Sequence, residues 1–345
     1  MKRRPTGPAR VRARALLRGS AGVLLLAVAA CGGTGEGPDV SFTVPPGAGF
    51  GAVADTLGAR DLVASPTLFT LFARIRGDDR QVKAGRYVVS RGASWGTLLE
   101  ALTRGRVATE AVTIPEGFRL PQIARRIAGL TSVGEDSIRS LLEDPAAGAR
   151  YDVPGPGLEG YLFPDTYRFA PGVDPARVVE AMTQRYRSMW TAERRARLDS
   201  LAMSERELVT LASIIQAEAR QVEEMPRISS VYHNRLERGW LLQADPTVLY
   251  ALGGPRERLL YAAIDSVAEN PYNTYSQPGL PPGPIGAPGE AALEAALHPA
   301  EEEFLFFVAR PDGSHVFTST LAEHNRAKAA SRRAWDSIRD GEGGP

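Results

Sequence analysis

Cysteine and net charge are both scarce in this sequence of 345 residues. The single cysteine, Cys31, excludes a fold stabilised by internal disulfide bonds. Basic and acidic residues nearly balance, at 41 Lys and Arg against 40 Asp and Glu, and 43% of the residues are hydrophobic. This composition excludes a disordered polyelectrolyte, and the length suits one large domain or two ordinary domains.

The net charge of +1 averages two different segments. Residues 1–30 contain seven basic residues and no acidic residue, so the rest of the chain carries a net charge of −6. A mildly acidic body argues against a surface that binds nucleic-acid phosphates. We therefore expect no nucleic-acid partner.

The amino-terminal segment is typical of an export signal. Its basic stretch leads into the apolar run 21–30, which is shorter than the roughly 20 residues needed to span a bilayer. The tetrad Val28-Ala29-Ala30-Cys31 resembles a bacterial lipobox, in which cleavage precedes a cysteine that receives a diacylglycerol. We predict a lipoprotein signal peptide over residues 1–30, lipidation of Cys31 and a flexible linker over residues 31–40. The protein would then lie in the cell envelope, membrane-anchored with a periplasmic body. An uncleaved membrane anchor is the alternative.

One short pattern occurs three times, beginning at Val44, Val89 and Ile114. In each copy a glycine follows at the third position, and apolar residues follow at the sixth, ninth and thirteenth. The first part alternates like a strand and the later spacing is helical, so each copy predicts a strand, a glycine turn and a short helix. The three copies predict a small α+β module over residues 41–130.

The segment Gly92-Ala93-Ser94-Trp95-Gly96 matches the Gly-x-Ser-x-Gly nucleophile elbow of serine hydrolases. The position of Ser94 is occupied by Gly49 in the first copy and by Arg119 in the third. The turn therefore does not require a serine, and this comparison argues against a serine hydrolase.

The helix predicted over residues 204–220 carries a carboxylate where apolar residues are expected. Ser204 and Glu207 fit the capping box that marks a helix start. At the helical period, Glu218 falls within an apolar stripe formed by Leu208, Leu211, Ile214, Ile215 and Val222.

A carboxylate that faces the core loses hydration, and a position near the carboxyl end of a helix adds an unfavourable dipole; both raise its pKa. A carboxylic acid that stays protonated near neutral pH can donate a proton to a glycosidic leaving group. Glu218 is therefore a candidate catalytic acid. An ion pair with an arginine, or a stripe that ends before Glu218, is the structural alternative.

Two further helices are predicted downstream. The first extends from Pro226 to Arg238, and the second begins at Asp245-Pro246. Asp245 is a possible second carboxylate, but aspartate followed by proline is typical of a helix start, so a capping role is favoured.

An irregular loop rich in proline and glycine is predicted over residues 270–284. Its Tyr272, Asn273 and Tyr275 offer flat aromatic faces and amide hydrogen bonds, which suit sugars. A β-hairpin over residues 304–309 and 315–318 follows, and Thr320 and Glu323 would cap a final helix.

The sequence shows no pattern typical of a metal or cofactor site. The four histidines, at positions 233, 298, 315 and 324, have no ligand spacing, and there is no phosphate-binding glycine loop. We therefore expect no metal and no cofactor, and chemistry by a positioned acid and base.

Six segments, in order, are similar to motifs of the endolytic murein transglycosylases, the YceG-like family. They are residues 158–167, 211–218, 231–236, 242–248, 272–275 and 279–285. The resemblance extends from about residue 41 to 330. It implies an α+β fold with a LysM-like module over residues 41–130, a larger α+β catalytic domain over 131–330 and a C-terminal tail over 331–345. Family members often carry an amino-terminal transmembrane helix, from which the short apolar run and the lipobox depart.

The resemblance also implies an activity. Members cleave the β-1,4 bond between N-acetylmuramic acid and N-acetylglucosamine within nascent glycan strands, leave 1,6-anhydro-N-acetylmuramic acid ends and terminate elongation. The implied partners are peptidoglycan glycan strands and cell-wall synthases.

Residue roles follow from the same resemblance. Glu218 matches the catalytic glutamate of the family, and Gln243, Asn273 and Tyr275 are expected to hold the glycan. Asn234 and Asp165 are weaker candidates, which structural hydrogen bonding explains equally well.

Two alternatives stay open at this point. One is a hydrolase of the same bond, with Asp245 or Glu159 as the second carboxylate. The other is a non-catalytic glycan-binding lipoprotein that acts through residues 41–130.

Overall fold

The computed structural model describes residues 37–105, 109–254, 256 and 259–342. Helices alternate with short antiparallel strand pairs, which confirms the predicted α+β class. The chain divides into two compact units between Thr109 and Glu110. The predicted signal peptide and Cys31 lie outside the described residues.

The first unit is built on one antiparallel strand pair and three helices. Strand β1 (Asp39–Val44) pairs with β2 (Gly85–Ser90) in a register that places Asp39 opposite Ser90. The helices are α1 (Phe50–Ala59), α2 (Pro66–Arg76) and α3 (Trp95–Arg104). Apolar side chains from all five elements form a separate core, which includes Phe42, Leu57, Phe69, Tyr87 and Leu99.

The three sequence copies fold as predicted into strand, glycine turn and helix. The turn glycines have positive φ angles, of 76° at Gly47, 87° at Gly92 and 75° at Gly117. Glycine occupies this left-handed region without the steric cost that a Cβ atom brings. Ser94 caps α3 by accepting a hydrogen bond from the Thr97 amide at 3.2 Å, so its role is conformational.

The third copy belongs to the second unit, so the predicted domain boundary near residue 130 is wrong. Strand β3 (Glu110–Thr113) pairs antiparallel with β4 (Thr166–Phe169), far along the chain. Helix α4 (Leu120–Ala128) buries its apolar face in the core of the second unit. The sequence pattern identifies each strand–helix copy but not the partner against which it packs.

The second unit contains most of the helices. They are α5 (Glu135–Leu142), α6 (Ala147–Arg150), α7 (Pro175–Ser188), α8 (Ala192–Ser200), α9 (Glu205–Glu218), α10 (Met225–Glu237), α11 (Asp245–Ala251), α12 (Tyr261–Asp265), α13 (Glu290–Leu297) and α14 (Leu321–Glu342). Strands β5 (Phe306–Ala309) and β6 (His315–Thr318) form the predicted hairpin. Helix α9 packs against α10, α11 and α13.

Helix α9 is buried on all sides over residues 208–215, not along one stripe. Its capping box is confirmed, because the Ser204 hydroxyl accepts from the Glu207 amide and the Glu207 carboxylate accepts from the Ser204 amide at 2.8 Å. The helix ends at Glu218, since Ala219 is extended. Val222 lies in a separate 3-10 turn and is 53% exposed, so its predicted place in the stripe is wrong.

The final helix is longer than predicted. Thr320 and Glu323 form the expected cap, with amide-to-side-chain distances of 3.2 and 3.3 Å. The helix continues to Glu342, and Ser331 donates a hydrogen bond to the Ala309 carbonyl at 2.6 Å. Residues 331–342 therefore belong to this helix. None of the helices in the described ranges is both long and apolar enough to cross a membrane.

Candidate active site

Glu218 is the last residue of α9 and lies where this central helix leaves the core. Ile214 and Ile215, one turn earlier, are fully buried, whereas Glu218 is half-buried. Its Oε1 atom accepts a hydrogen bond from the Tyr232 hydroxyl at 3.0 Å. The carboxyl group is thereby fixed against α10 at the edge of the core.

Tyr232 and Arg235 lie three residues apart on α10, so both side chains project from the same face of the helix. Both residues are buried. The Arg235 guanidinium donates to the Leu242 carbonyl at 2.7 Å and to the Leu305 carbonyl at 2.8 Å. Arg235 thus joins α10 to the segment that leads into α11 and to the start of the hairpin.

The pKa of Glu218 is raised to about 7. Burial is the largest cause and the negative charge of Asp245 adds to it, whereas the hydrogen bond from Tyr232 and the charge of Arg235 lower the pKa. Glu218 can therefore hold a proton near neutral pH and release it with little cost, as a residue acting first as acid and then as base must do.

Asp245, whose negative charge raises the pKa of Glu218, is the first residue of α11. It is exposed, and its Oδ1 atom accepts a hydrogen bond from the Tyr275 hydroxyl. The predicted capping role is wrong, because the helix has no side-chain cap and Ala244 occupies the N-cap position. Asp245 lies one residue inside the helix, followed by Pro246, which has no amide hydrogen to donate.

Thr274 holds the irregular loop against the start of α11. Its carbonyl accepts from the Gln243 amide and its hydroxyl accepts from the Ala244 amide, both at 3.0 Å. The hydroxyl also lies 2.8 Å from that of Thr247. These bonds place Tyr275 beside Asp245. The Gln243 side chain is exposed, and the φ angle of Gln243 is 49°.

Most of the chain is similar to known proteins. Residues 42–330, which contain the whole candidate site, match the model of the YceG-like family. The chain belongs to this family. Similar proteins include two named endolytic murein transglycosylase, one from Bacillus subtilis and one from Streptococcus pneumoniae. The first is 34% identical over 84% of this chain and 84% of its own length, and the second is 28% identical over 83% of this chain. The chain spans only 57% of the length of the streptococcal relative.

A crystal structure of a YceG-like protein from Listeria monocytogenes is also similar. It aligns with a TM-score of 0.58 and 30% sequence identity, covering 84% of this chain and 99% of that protein. The α+β architecture is therefore that of the YceG-like family.

Among the sequence candidates in this YceG-like chain, Tyr275 is hydrogen-bonded to Asp245, whose charge acts on the pKa of Glu218, and the Gln243 backbone is bonded to Thr274, beside Tyr275 in the chain. Asn273 is nearby but is 1% exposed. Its amide donates to the carbonyls of Ile264 and Val267, and its Oδ1 accepts from the Tyr275 amide at 3.0 Å. The Asn273 side chain is buried and bonded within the protein, which favours a structural role over contact with glycan.

Asn234 and Asp165 have structural partners. The Asn234 amide donates to the carbonyls of Glu302 and Phe304, at 2.8 and 2.9 Å. Asp165 pairs with Arg185 at 3.0 Å. For both residues the structure supports the alternative of structural hydrogen bonding.

Among the described residues, Glu159 is a second carboxyl group with a strongly raised pKa, at about 7, chiefly because of burial. Its Oε2 accepts at 3.4 Å from the Leu120 amide and from the Tyr250 hydroxyl, and the charge of Arg119 acts on it. No hydrogen bond in the described part of the chain joins Glu159 to Glu218. The charge of Asp245 acts on the pKa of Glu218 and that of Glu159 does not, so Asp245 is the stronger candidate for a second carboxylate.

Sequence reasoning missed Tyr232, Arg235 and Thr274 as site residues. Tyr232 and Arg235 continue the helical spacing of Ile228 along the buried face of α10, where a tyrosine and an arginine both need polar partners, and this was the available signal. Within the described residues, no cluster of three or more His, Cys, Asp or Glu side chains could hold a metal ion.

Proposed function

We propose that this chain is an endolytic murein transglycosylase and that Glu218 is its catalytic acid and base. The observation that carries the proposal is the environment of the Glu218 carboxyl group at the end of a buried helix. Its pKa is raised to about 7, and the hydrogen bond from Tyr232 orients it. Family membership and the names of the relatives support the same activity.

One carboxyl group is sufficient for the proposed reaction. Glu218 donates its proton to the glycosidic oxygen, and the bond between that oxygen and C1 of the N-acetylmuramic acid breaks. The Glu218 carboxylate then takes a proton from the C6 hydroxyl of the same sugar, whose oxygen bonds to C1. The product ends in a 1,6-anhydro ring, no water is consumed, and Glu218 regains its proton.

The exposed side of the site offers groups that suit a glycan. Gln243 presents an amide, and Tyr275 presents an aromatic face beside Asp245. Burial and Asp245 are the main causes that raise the pKa of Tyr275, and Tyr261, the first residue of α12 and 78% exposed, adds to them. We assign glycan binding to Gln243, Tyr275 and Tyr261.

The decisive experiment is digestion of purified peptidoglycan followed by mass spectrometry of the products. Wild-type protein should release anhydro-ended fragments, and Glu218→Gln should release them at least about a hundredfold more slowly. Glu237→Gln, the same substitution at an exposed position on α10, is the matched control and should retain activity. Equal product from wild type and Glu218→Gln would remove Glu218 from the mechanism.

A hydrolase is the second candidate, because the exposed Asp245 acts on Glu218 and could activate a water molecule. Digestion in water enriched in heavy oxygen separates the two reactions. Hydrolysis incorporates the label at the new reducing end, whereas transglycosylation gives unlabelled ends that are lighter by one water.

We further propose that the protein terminates nascent strands from a membrane-anchored position outside the cytoplasm, with lipid on Cys31 and with cell-wall synthases as partners. The basic and apolar segment before the Val28-Ala29-Ala30-Cys31 tetrad supports this placement. Mass analysis of the mature amino terminus should find a diacylated Cys31, and Cys31→Ala should release the protein from the membrane. An unprocessed terminus in the membrane would instead indicate an uncleaved anchor.

A further inference from the structure

Helix α2 of the first unit has an apolar face that the described residues leave uncovered. Leu68, Leu71 and Ile75 are 56%, 54% and 77% exposed. They occupy positions i, i+3 and i+7, so they form one stripe along the helix. The opposite face packs against the core of the unit, where Phe69 and Ala73 are fully buried.

The charges around this stripe are basic. Helix α2 has no acidic residue, and its last turn contains Arg74 and Arg76. Arg80, four residues beyond the helix, is also exposed. Arg76 pairs with Asp78 at 3.0 Å and Asp79 precedes Arg80, so residues 74–80 carry three basic and two acidic side chains, a net charge of +1, beside the stripe. An apolar stripe flanked by arginines is typical of helices that lie in the headgroup region of an anionic bilayer.

The length of the tether brings this unit to a membrane. Seven residues separate Cys31 from Asp39, the first residue of β1, and the eight Cα-to-Cα steps between them span at most about 28 Å when fully extended. A unit of about 70 residues has a radius of gyration near 11 Å. If Cys31 carries lipid, this tether keeps the start of the first unit within about 28 Å of the bilayer, at a high effective concentration.

We propose that the exposed face of α2, formed by Leu68, Leu71 and Ile75, rests on an anionic lipid surface. This inference depends on the anchoring of Cys31 proposed above. The contact would hold the first unit in a fixed orientation on the membrane.

The test uses the full, anchored chain in nanodiscs of phosphatidylethanolamine and phosphatidylglycerol. Lipidation consumes the Cys31 thiol, so a nitroxide label on Leu71→Cys reports this one position. Asp55→Cys, on the exposed side of α1, is the matched control. Collision of the nitroxide with oxygen, which concentrates in lipid, is compared with collision with a water-soluble nickel chelate.

The label at residue 71 should collide several-fold more with oxygen than with nickel, and the label at residue 55 should show the reverse. Adding Leu68→Gln and Ile75→Gln, which alter only exposed side chains, should make the label at residue 71 collide more with nickel than with oxygen. Preference for nickel at 71 in the unaltered stripe would overturn the proposal. So would protection from both reagents, which would indicate cover by protein, either the second unit or another copy. Failure of anchoring is recognised separately, by a second nitroxide on Cys31 or by absence of the chain from the nanodisc fraction.

Discussion

The Tyr232 hydroxyl donates a hydrogen bond to Glu218 Oε1 across 3.0 Å and so joins α10 to the last residue of α9. This bond stabilises the charged form of Glu218, whereas the nearby charge of Asp245 destabilises it. Two neighbours therefore act on one carboxyl group in opposite directions, and their removal has effects of opposite sign.

Replacing Tyr232 with Phe should move the activity profile to higher pH. The substitution removes the donor that favours the Glu218 carboxylate, so the pKa of Glu218 rises further. If Glu218 must be protonated to act, the fall of kcat/KM on the alkaline side begins later than in wild type. The lost hydrogen bond should cost about 1 kcal/mol of unfolding free energy, which denaturant titration measures.

Replacing Asp245 with Asn should move the same profile to lower pH. Asparagine keeps the size of the side chain and removes the negative charge that raises the pKa of Glu218. The alkaline fall of kcat/KM then begins earlier than in wild type. Shifts of the same sign in this variant and in Tyr232→Phe would show that the titrating group is not Glu218.

Substitution of Glu218 by Gln should increase stability at alkaline pH. Folding raises the pKa of Glu218 from an ordinary value of 4.5 to about 7, so between these values the folded state binds a proton that the unfolded chain does not. The contribution of Glu218 to stability is complete below about pH 4.5 and is lost as the pH rises through 7. Glutamine cannot ionise, so the variant should gain about 2–3 kcal/mol over wild type between pH 4.5 and 8.

Denaturant titrations of wild type and Glu218→Gln at pH 5 and pH 8 measure that gain. The matched control is Glu237→Gln, whose exposed side chain should give the same difference from wild type at both pH values. A stability difference for Glu218→Gln that does not change with pH would show that Glu218 is solvated and charged throughout.

The elements that the sequence predicted well are those with local physical causes. The glycine turns at Gly47, Gly92 and Gly117 need a positive φ, and the Ser204–Glu207 capping box satisfies its own amides. The interactions that determine both features lie within a few residues of each other in the chain, so the sequence alone is enough to locate them.

Long-range partners account for the errors. Asp245 and Pro246 look like a helix cap, and only the loop that contains Tyr275 shows that the carboxylate is bonded elsewhere. Likewise, the copy that begins at Ile114 has the same sequence pattern as the first two copies. Only the structure shows that its strand, β3, pairs with β4. Glu218 was located by its helical angle, but its environment depends on Tyr232, Arg235 and Asp245, which lie on two other helices.

Asn273→Ala should lower stability without altering the chemistry directly. Three hydrogen bonds made by this buried side chain are lost, to Ile264, Val267 and the Tyr275 amide. The unfolding free energy should fall by about 2–4 kcal/mol. At a temperature where the variant is fully folded, the alkaline fall of kcat/KM should keep its wild-type pH, because Asn273 does not act on Glu218. A large rise of KM with unchanged stability would instead restore Asn273 as a glycan ligand.

Gln243→Gly separates the cost of a strained backbone from the benefit of a binding side chain. Gln243 has a φ of 49°, in the left-handed region that disfavours any residue with a Cβ atom. Its amide bond to the Thr274 carbonyl uses only backbone atoms, and its side chain is exposed, so glycine preserves the fold. We expect the unfolding free energy to stay level or rise by up to about 1 kcal/mol, while KM for glycan rises several-fold. Gln243→Ala is the matched control, since it removes the same amide but keeps the strained Cβ, and should show the same KM with lower stability than Gln243→Gly. If both variants retained the wild-type KM, the Gln243 side chain would have no part in holding the glycan.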